Sequence, residues 1–272
     1  MLGFMVLVDE VFNRERLMIS YQNAEKKYPK EATKLIERIW LEKKASGIRL
    51  FDGKLFEVIS YKTRDQILSL ELQNTSYKYL VGTREAEFVS KFGSEMISNS
   101  LSVGAVVVSS DDCFVLGKRR SDLYFNPGKY STIAGTMDPE KDFKGGNPDP
   151  FEAILRELFE EKGVEESNVR DALCLGLIYN IEYKQTYMPF YIKLGISCGA
   201  LQNSSPREEE FERFIYVKAD GNGVSDFLAK NLEQVSQTCQ GNILMFGKRM
   251  FGIPWFKDIL SRLKVEPEFI SS

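Results

Sequence analysis

Residues 156–164 read Arg156-Glu157-Leu158-Phe159-Glu160-Glu161-Lys162-Gly163-Val164. Together with the residues before them they carry a helical pattern. Phe151, Ile154, Leu155 and Leu158 recur at the spacing that lines one face of a helix from about 151 to 162. Glu157, Glu160 and Glu161 stand at i, i+3 and i+4, which gathers three carboxylates on a neighbouring face. Gly163 is placed to end the helix in the left-handed conformation. The plain alternative is a solvated acidic surface. Two physical terms count against it: like charges at these spacings repel by roughly a few tenths of a kcal/mol per pair, and the last turns of a helix disfavour negative charge by roughly 0.3–1 kcal/mol. A bound cation removes both penalties. Oxygen ligands without Cys or His suit a hard ion, Mg²⁺ or Mn²⁺, which keeps several waters and also takes phosphate oxygens.

Composition narrows the chemistry further. The 272 residues include no histidine, which excludes a Ser-His-Asp triad, a Cys-His pair and a His-ligated zinc site. Cys113, Cys174, Cys198 and Cys239 form no CxxC pair and read as reduced thiols of a cytoplasmic protein. A net charge of −3, with 43% hydrophobic and 28% charged residues, fits a soluble globular chain and gives no reason to expect nucleic-acid binding. No segment reaches the ~18 apolar residues of a membrane span, so no membrane association is expected. MLGFMVLVDE reads as an opening strand rather than a signal peptide.

Outward from the acidic helix, residues 23–47 read as an amphipathic helix carrying Ala32, Leu35, Ile36, Ile39 and Trp40. Asp52-Gly53 reads as a hairpin turn between apolar runs. A strand over about 65–73 and a short helix near 84–97 complete a small α+β unit over residues 1–100. From Val103 the pattern changes: strands SVGAVVV, CFVLGKRR and YSTIAG, the last ending at Gly135, precede a Gly/Pro/Asp-rich loop and the acidic helix. Further strands are expected near 172–181, 187–196 and 213–218, with one or two C-terminal helices including PWFKDILSRLK. Strands mixed with a few helices imply a mixed sheet covered by helices on its faces.

The run at 156–164 resembles the second half of the Nudix box, REUxEExGU with U aliphatic, at all nine positions. Gly135 resembles the glycine that opens the box. The resemblance implies an α/β/α Nudix sandwich over about 101–272 behind the α+β unit. It also implies a divalent-ion-dependent nucleotide diphosphatase. Glu157 and Glu161 are then metal ligands, Glu160 a third, and Arg156 orients them by ion pairing. The first half of the box departs from the family. Pro148 stands where a glutamate is expected, Thr136 replaces the second glycine, and the glycine-to-arginine spacing is about six residues longer. Glu140, Asp149 and Glu152 are the candidates to replace that glutamate. Nudix enzymes often add a carboxylate from outside the box, for which Glu210 and Glu212 are the candidates, and either, or a helix glutamate, could serve as base.

LFDGKLF (50–56), TSYKYLVGT (75–83), SVGAVVVSSDD (102–112) and KRRS (118–121) are similar to a Nudix subgroup of animals and plants whose animal member hydrolyses UDP-glucose and UDP-galactose. The likeness implies that Phe51 and Tyr77 sandwich a base, at roughly 1–3 kcal/mol per stacked face. Arg119 and Arg120 become phosphate ligands, Arg120 being the closer match. The expected reaction is a UDP-sugar and water giving UMP and sugar 1-phosphate, with a small nucleotide as the partner. Another nucleotide substrate such as ADP-ribose or a dinucleotide, and a silent nucleotide sensor, are the rival readings.

Overall fold

The computed structural model describes residues 2–265, so the last seven residues of the expected 101–272 domain lie outside it. In chain order the elements are β1 (Phe4–Val8), β2 (Leu17–Glu25), α1 (Lys30–Ala45), β3 (Lys54–Arg64), β4 (Ile67–Ser76), α2 (Tyr77–Gly82) and α3 (Ala86–Phe92). There follow β5 (Leu101–Val108), β6 (Cys113–Arg119), β7 (Tyr130–Ser131), β8 (Ile133–Thr136), β9 (Phe143–Lys144), β10 (Asn147–Pro148) and α4 (Pro150–Lys162). The chain closes with β11 (Val169–Cys174), β12 (Leu177–Asn180), β13 (Gln185–Leu194), α5 (Cys198–Asn203), β14 (Phe211–Lys218), α6 (Gly221–Asn231) and α7 (Gln237–Arg262).

The central sheet has the order β1-β12-β13-β5-β6-β14, with β11 on β13, β7 on β6 and β8 on β5. It is mixed: β13 and β5 run parallel, and the remaining pairs are antiparallel. Strand β5 is buried throughout, because both its faces are covered, and is apolar except for Ser102. Val103, Ala105 and Val107 face the core that takes Phe151, Ile154 and Leu158 of α4, whereas Val106 and Val108 face Leu228, Ile243 and Phe246 of α6 and α7. This is the α/β/α sandwich with a mixed sheet expected from the sequence. Helix α7 is broken at Gly252 (φ 85°), two residues before Pro254, so PWFKDILSRLK forms its second arm.

Residues 1–100 are bound tightly to the rest. Strand β1 is an edge strand of the central sheet, paired with β12. The three-stranded sheet β2-β4-β3 sends Phe56, Val58, Leu68, Leu70 and Leu72 into the same core as Phe151 and Leu158. Among the described residues, α1 and Phe88 of α3 build a small cluster of their own.

Some local expectations are corrected. The hairpin turn lies at Asp65-Gln66, both with positive φ (51° and 60°), between β3 and β4. At the expected turn, the Asp52 carboxylate instead accepts from the Lys78 N–H and Gly53 O from the Tyr77 N–H, so that segment starts α2. The helix expected from residue 23 begins at Lys30, because β2 extends to Glu25. The strand expected over 172–181 is two strands, β11 and β12. Cys113 and Cys198, distant in sequence, meet with 2.6 Å between their sulfurs. No helix among the described residues is long and apolar enough to cross a membrane.

Candidate functional site

Helix α4 is fixed at both ends. The Asp149 carboxylate accepts from the Phe151 and Glu152 N–H groups at the N-terminus, with Pro150 in the first turn. Gly163 closes the helix with φ 69° and ψ 26°. Beyond it, Glu160 O accepts from the N–H groups of Arg207 and Glu208, and Lys162 Nζ donates to Ser204 O. These bonds draw the segment before β14 onto the end of α4.

With Ile154 and Leu158 turned into the core, Glu157 and Glu161 face β8. Glu161 is 1% exposed. Its Oε2 accepts from the Ala134 N–H at 2.8 Å, while Oε1 is buried with no hydrogen-bond partner. Glu157 lies against Gly135, where a Cβ would overlap its carboxylate; this close approach requires glycine at that position of β8. Burial, reinforced by Glu160 and Glu210, pushes the Glu157 carboxyl up to about 8. Burial, with Glu210 and Glu157 beside it, also holds Glu161 well above the usual carboxylate range.

Arg156 is the hub of the ion pairs. It forks onto Asp142 (Nε–Oδ1 2.8 Å, Nη2–Oδ2 2.9 Å), while Nη1 reaches Glu157 Oε1 at 2.8 Å and Glu160 Oε2 at 2.7 Å. Asp142, 1% exposed, is the carboxylate that sequence reasoning missed. It lies in the lengthened loop, where β9 and β10 form a small hairpin turning at Gly145-Gly146 (φ 59° and 84°). Asp142 O accepts from the Asp149 N–H at 2.9 Å, so the hairpin takes up the extra residues and returns the chain to α4. The expected substitutes work elsewhere: Glu140 pairs with Lys54, and Asp149 and Glu152 pair with Arg14.

A cavity of about 370 Å³ opens over these residues. Glu157, Glu160, Arg156 and Gly135 line it on one side, and Phe51, Tyr77 and Phe125 on another. Arg119 and Glu210 also line it, paired at 3.0 Å. Tyr77 packs edge-on against Trp40 and Phe125, and Phe51 is 84% exposed at the rim. Three expected residues do not line the cavity: Glu161, which is buried, Arg120 and Glu212. Arg120 turns outward to fork onto Asp122, and Glu212 is an exposed residue of β14 that does not line the cavity. Successive side chains of an extended chain alternate faces, which separates Arg119 from Arg120, whereas Glu210 and Glu212, two residues apart, are separated by the irregularity in the β14 register between Phe211 and Arg213. Asn126, Asn180, Tyr183 and Glu208 line the cavity too. Nothing in their spacing marks them, because they come from loops and strand ends far apart in the chain.

The donors are oxygens alone, and the buried Glu161 Oε1 lacks a partner, which fits a hard divalent ion. Among the described residues no three acidic side chains are yet arranged around a common point. Arg156 supplies the positive charge to Glu157 and Glu160 instead.

Residues 99–229 match the profile of the NUDIX domain. The chain carries a NUDIX domain. Among curated proteins it is 23% identical over 217 residues to mouse "Uridine diphosphate glucose pyrophosphatase NUDT22", covering 68% of this chain and 70% of that protein. It is 24% identical over 212 residues to "Nudix hydrolase 9" of Arabidopsis thaliana, covering 65% and 68%. Among solved structures, the MutT protein of Methanosarcina mazei Go1 aligns with a TM-score of 0.37 at 16% identity, over 56% of this chain and 94% of that one. A bifunctional NMN adenylyltransferase/ADP ribose pyrophosphatase from Francisella tularensis aligns at 0.43 and 10% identity, over 64% and 49%.

Proposed function

We propose that the NUDIX domain hydrolyses a UDP-sugar, giving UMP and sugar 1-phosphate, with Mg²⁺ as its ion and Mn²⁺ as a substitute. The observation that carries this reading is the pair of buried carboxylates, Glu157 and Glu161, beside a cavity lined by an arginine on one side and aromatic rings on another. Glu157 and Glu161, with Glu160, would hold the ion. When bound, it neutralises charge on the diphosphate and lowers the pKa of the attacking water. Arg156 positions the glutamates, and Asp142 fixes Arg156. Gly135, having no side chain, lets the Glu157 carboxylate lie against β8 at the cavity wall. Arg119 binds a phosphate oxygen, and Glu210, its present partner, takes the proton from water as the new P–O bond forms and the bridging P–O bond breaks. Tyr77 and Phe51 contact the base, which gives the N-terminal unit a share in recognition. The likeness to the mouse protein supports uridine diphosphate glucose among nucleotide substrates.

A panel tests the assignment: UDP-glucose, UDP-galactose, ADP-ribose and a diadenosine polyphosphate, each with Mg²⁺, read by phosphate release after phosphatase coupling. The expected result is the highest kcat/KM for a UDP-sugar. Preference for ADP-ribose or the dinucleotide overturns the uridine assignment. Binding without turnover of any of them overturns the catalytic reading in favour of a nucleotide sensor.

A further inference from the structure

The link between α2 and α3 holds a group that the site described above does not use. Arg84 is 8% exposed, and none of its three guanidinium nitrogens has a hydrogen-bond partner. Its guanidinium lies over the Phe125 ring, 5.4 Å from the centroid. The tyrosines around it are Tyr124, Tyr77, Tyr179 and Tyr183. Burial lowers its pKa to about 10, so it remains a cation at neutral pH. An aromatic surround offsets part of the desolvation, but it leaves five N–H donors unmet. Buried polar groups in folded proteins are nearly always paired, and an exception calls for a reason.

A second unmet group lies at the same aromatic wall. Asn126 Oδ1 is buried without a partner. Asn126 holds a left-handed backbone (φ 49°), and its N–H donates to the Tyr183 hydroxyl at 3.1 Å, so its position is fixed. Asn126 lines the catalytic cavity, as do Phe125 and Tyr77. Phe125 also lines a neighbouring cavity of about 560 Å³. Phe125 packs edge-on against Tyr77, Tyr124 and Tyr183, so uncovering Arg84 requires this ring to turn towards one of the two cavities that it lines.

We propose that Arg84 and Asn126 read the base of the nucleotide, with the Arg84 fork donating to a uracil carbonyl and the uracil ring N–H donating to Asn126 Oδ1. This rests on the uridine reading above. The pairing edge of uracil presents an acceptor, one donor and a second acceptor, which complements several donors and a single acceptor. Cytosine puts an amino donor where uracil has one of its oxygens, against the donors of Arg84. A phosphate has acceptors alone and leaves Asn126 Oδ1 unmet. Rejection of a mismatched edge is strong at such sites, because the buried groups are then left unpaired.

The full chain is compared with Arg84→Met. Turnover of UDP-glucose and CDP-glucose is measured, with binding of UMP and of inorganic pyrophosphate by calorimetry and thermal melting of both proteins. The native chain is expected to prefer UDP-glucose. In Arg84→Met, UMP affinity falls at least tenfold, the UDP/CDP preference collapses towards about 1, and pyrophosphate binding is unchanged. The variant melts no lower than the native chain, because a buried unpaired charge is gone. A merely structural arginine gives the opposite melt and leaves the base preference intact. Native UDP-glucose turnover with unchanged UMP affinity in Arg84→Met overturns this proposal alone, and so does an equal loss of pyrophosphate binding. Native turnover of ADP-ribose without UDP-glucose overturns the uridine reading and the base assignment with it. If Arg84→Met does not fold, Arg84→Gln carries the same comparison.

Discussion

Glu157 and Glu161 carry their charge at a cost, and that cost links the ion to pH. The Glu157 carboxyl is raised to about 8 from an ordinary value of 4.5. Between those values the folded chain binds more protons than the unfolded chain, so this group's contribution to stability is complete below pH 4.5 and is lost as pH rises through 8. An ion on the same carboxylates competes with the protons and removes the repulsion. The rise in melting temperature caused by Mg²⁺ is therefore expected to grow between pH 6.5 and 8.5, measured by thermal melting at fixed ionic strength. A rise independent of pH over that window contradicts the assignment of the ion to Glu157. At this scale the three glutamates and Arg156 were legible because they share one helix, where spacing translates directly into facing. Asp142 was not. Its contact with Arg156 depends on a turn at Gly145-Gly146 that brings back a chain segment fourteen residues away from the arginine.

Among the elements, α4 was read with nearly its observed limits, because the cap, the apolar face and the terminal glycine agree with one another. Asp52-Gly53 misled because a turn dipeptide carries no information about what it joins. Asp65-Gln66, a weaker turn signal, closes the hairpin because β3 and β4 pair over their length. The end of α4 has a testable weight. Gly163 is left-handed, and a Cβ there overlaps Ser205 O, a backbone atom that cannot turn away. Gly163→Ala is expected to cost about 2 kcal/mol or more, read in chemical denaturation. It should also lower activity, because the displaced segment carries Glu208 and Glu210 to the cavity. A variant as stable as the native chain contradicts the anchoring role given to this turn.

Over the whole molecule, composition and motif indicated the class of fold, but the way the first hundred residues join it required three dimensions. Local periodicity groups β2, β3 and β4 as a small unit. It does not reveal that Leu68, Leu70 and Leu72 enter the core beneath α4, or that β1 completes the central sheet. The substrate cavity lies where these parts converge, with Phe51 and Tyr77 from the N-terminal unit facing Glu157 and Arg119 from the NUDIX domain. Under the proposed function, the base would be recognised on one side of this cavity and the diphosphate cleaved on the other. The most direct measurement is release of UMP from UDP-glucose with Mg²⁺ by the native chain and by Glu161→Gln, which keeps the side chain's shape and its bond to Ala134 while removing the charge. The account predicts turnover by the native chain and a loss of at least about 100-fold in kcat in the variant, with the fold retained. Turnover by Glu161→Gln equal to that of the native chain would contradict the carboxylate mechanism assigned to the helix.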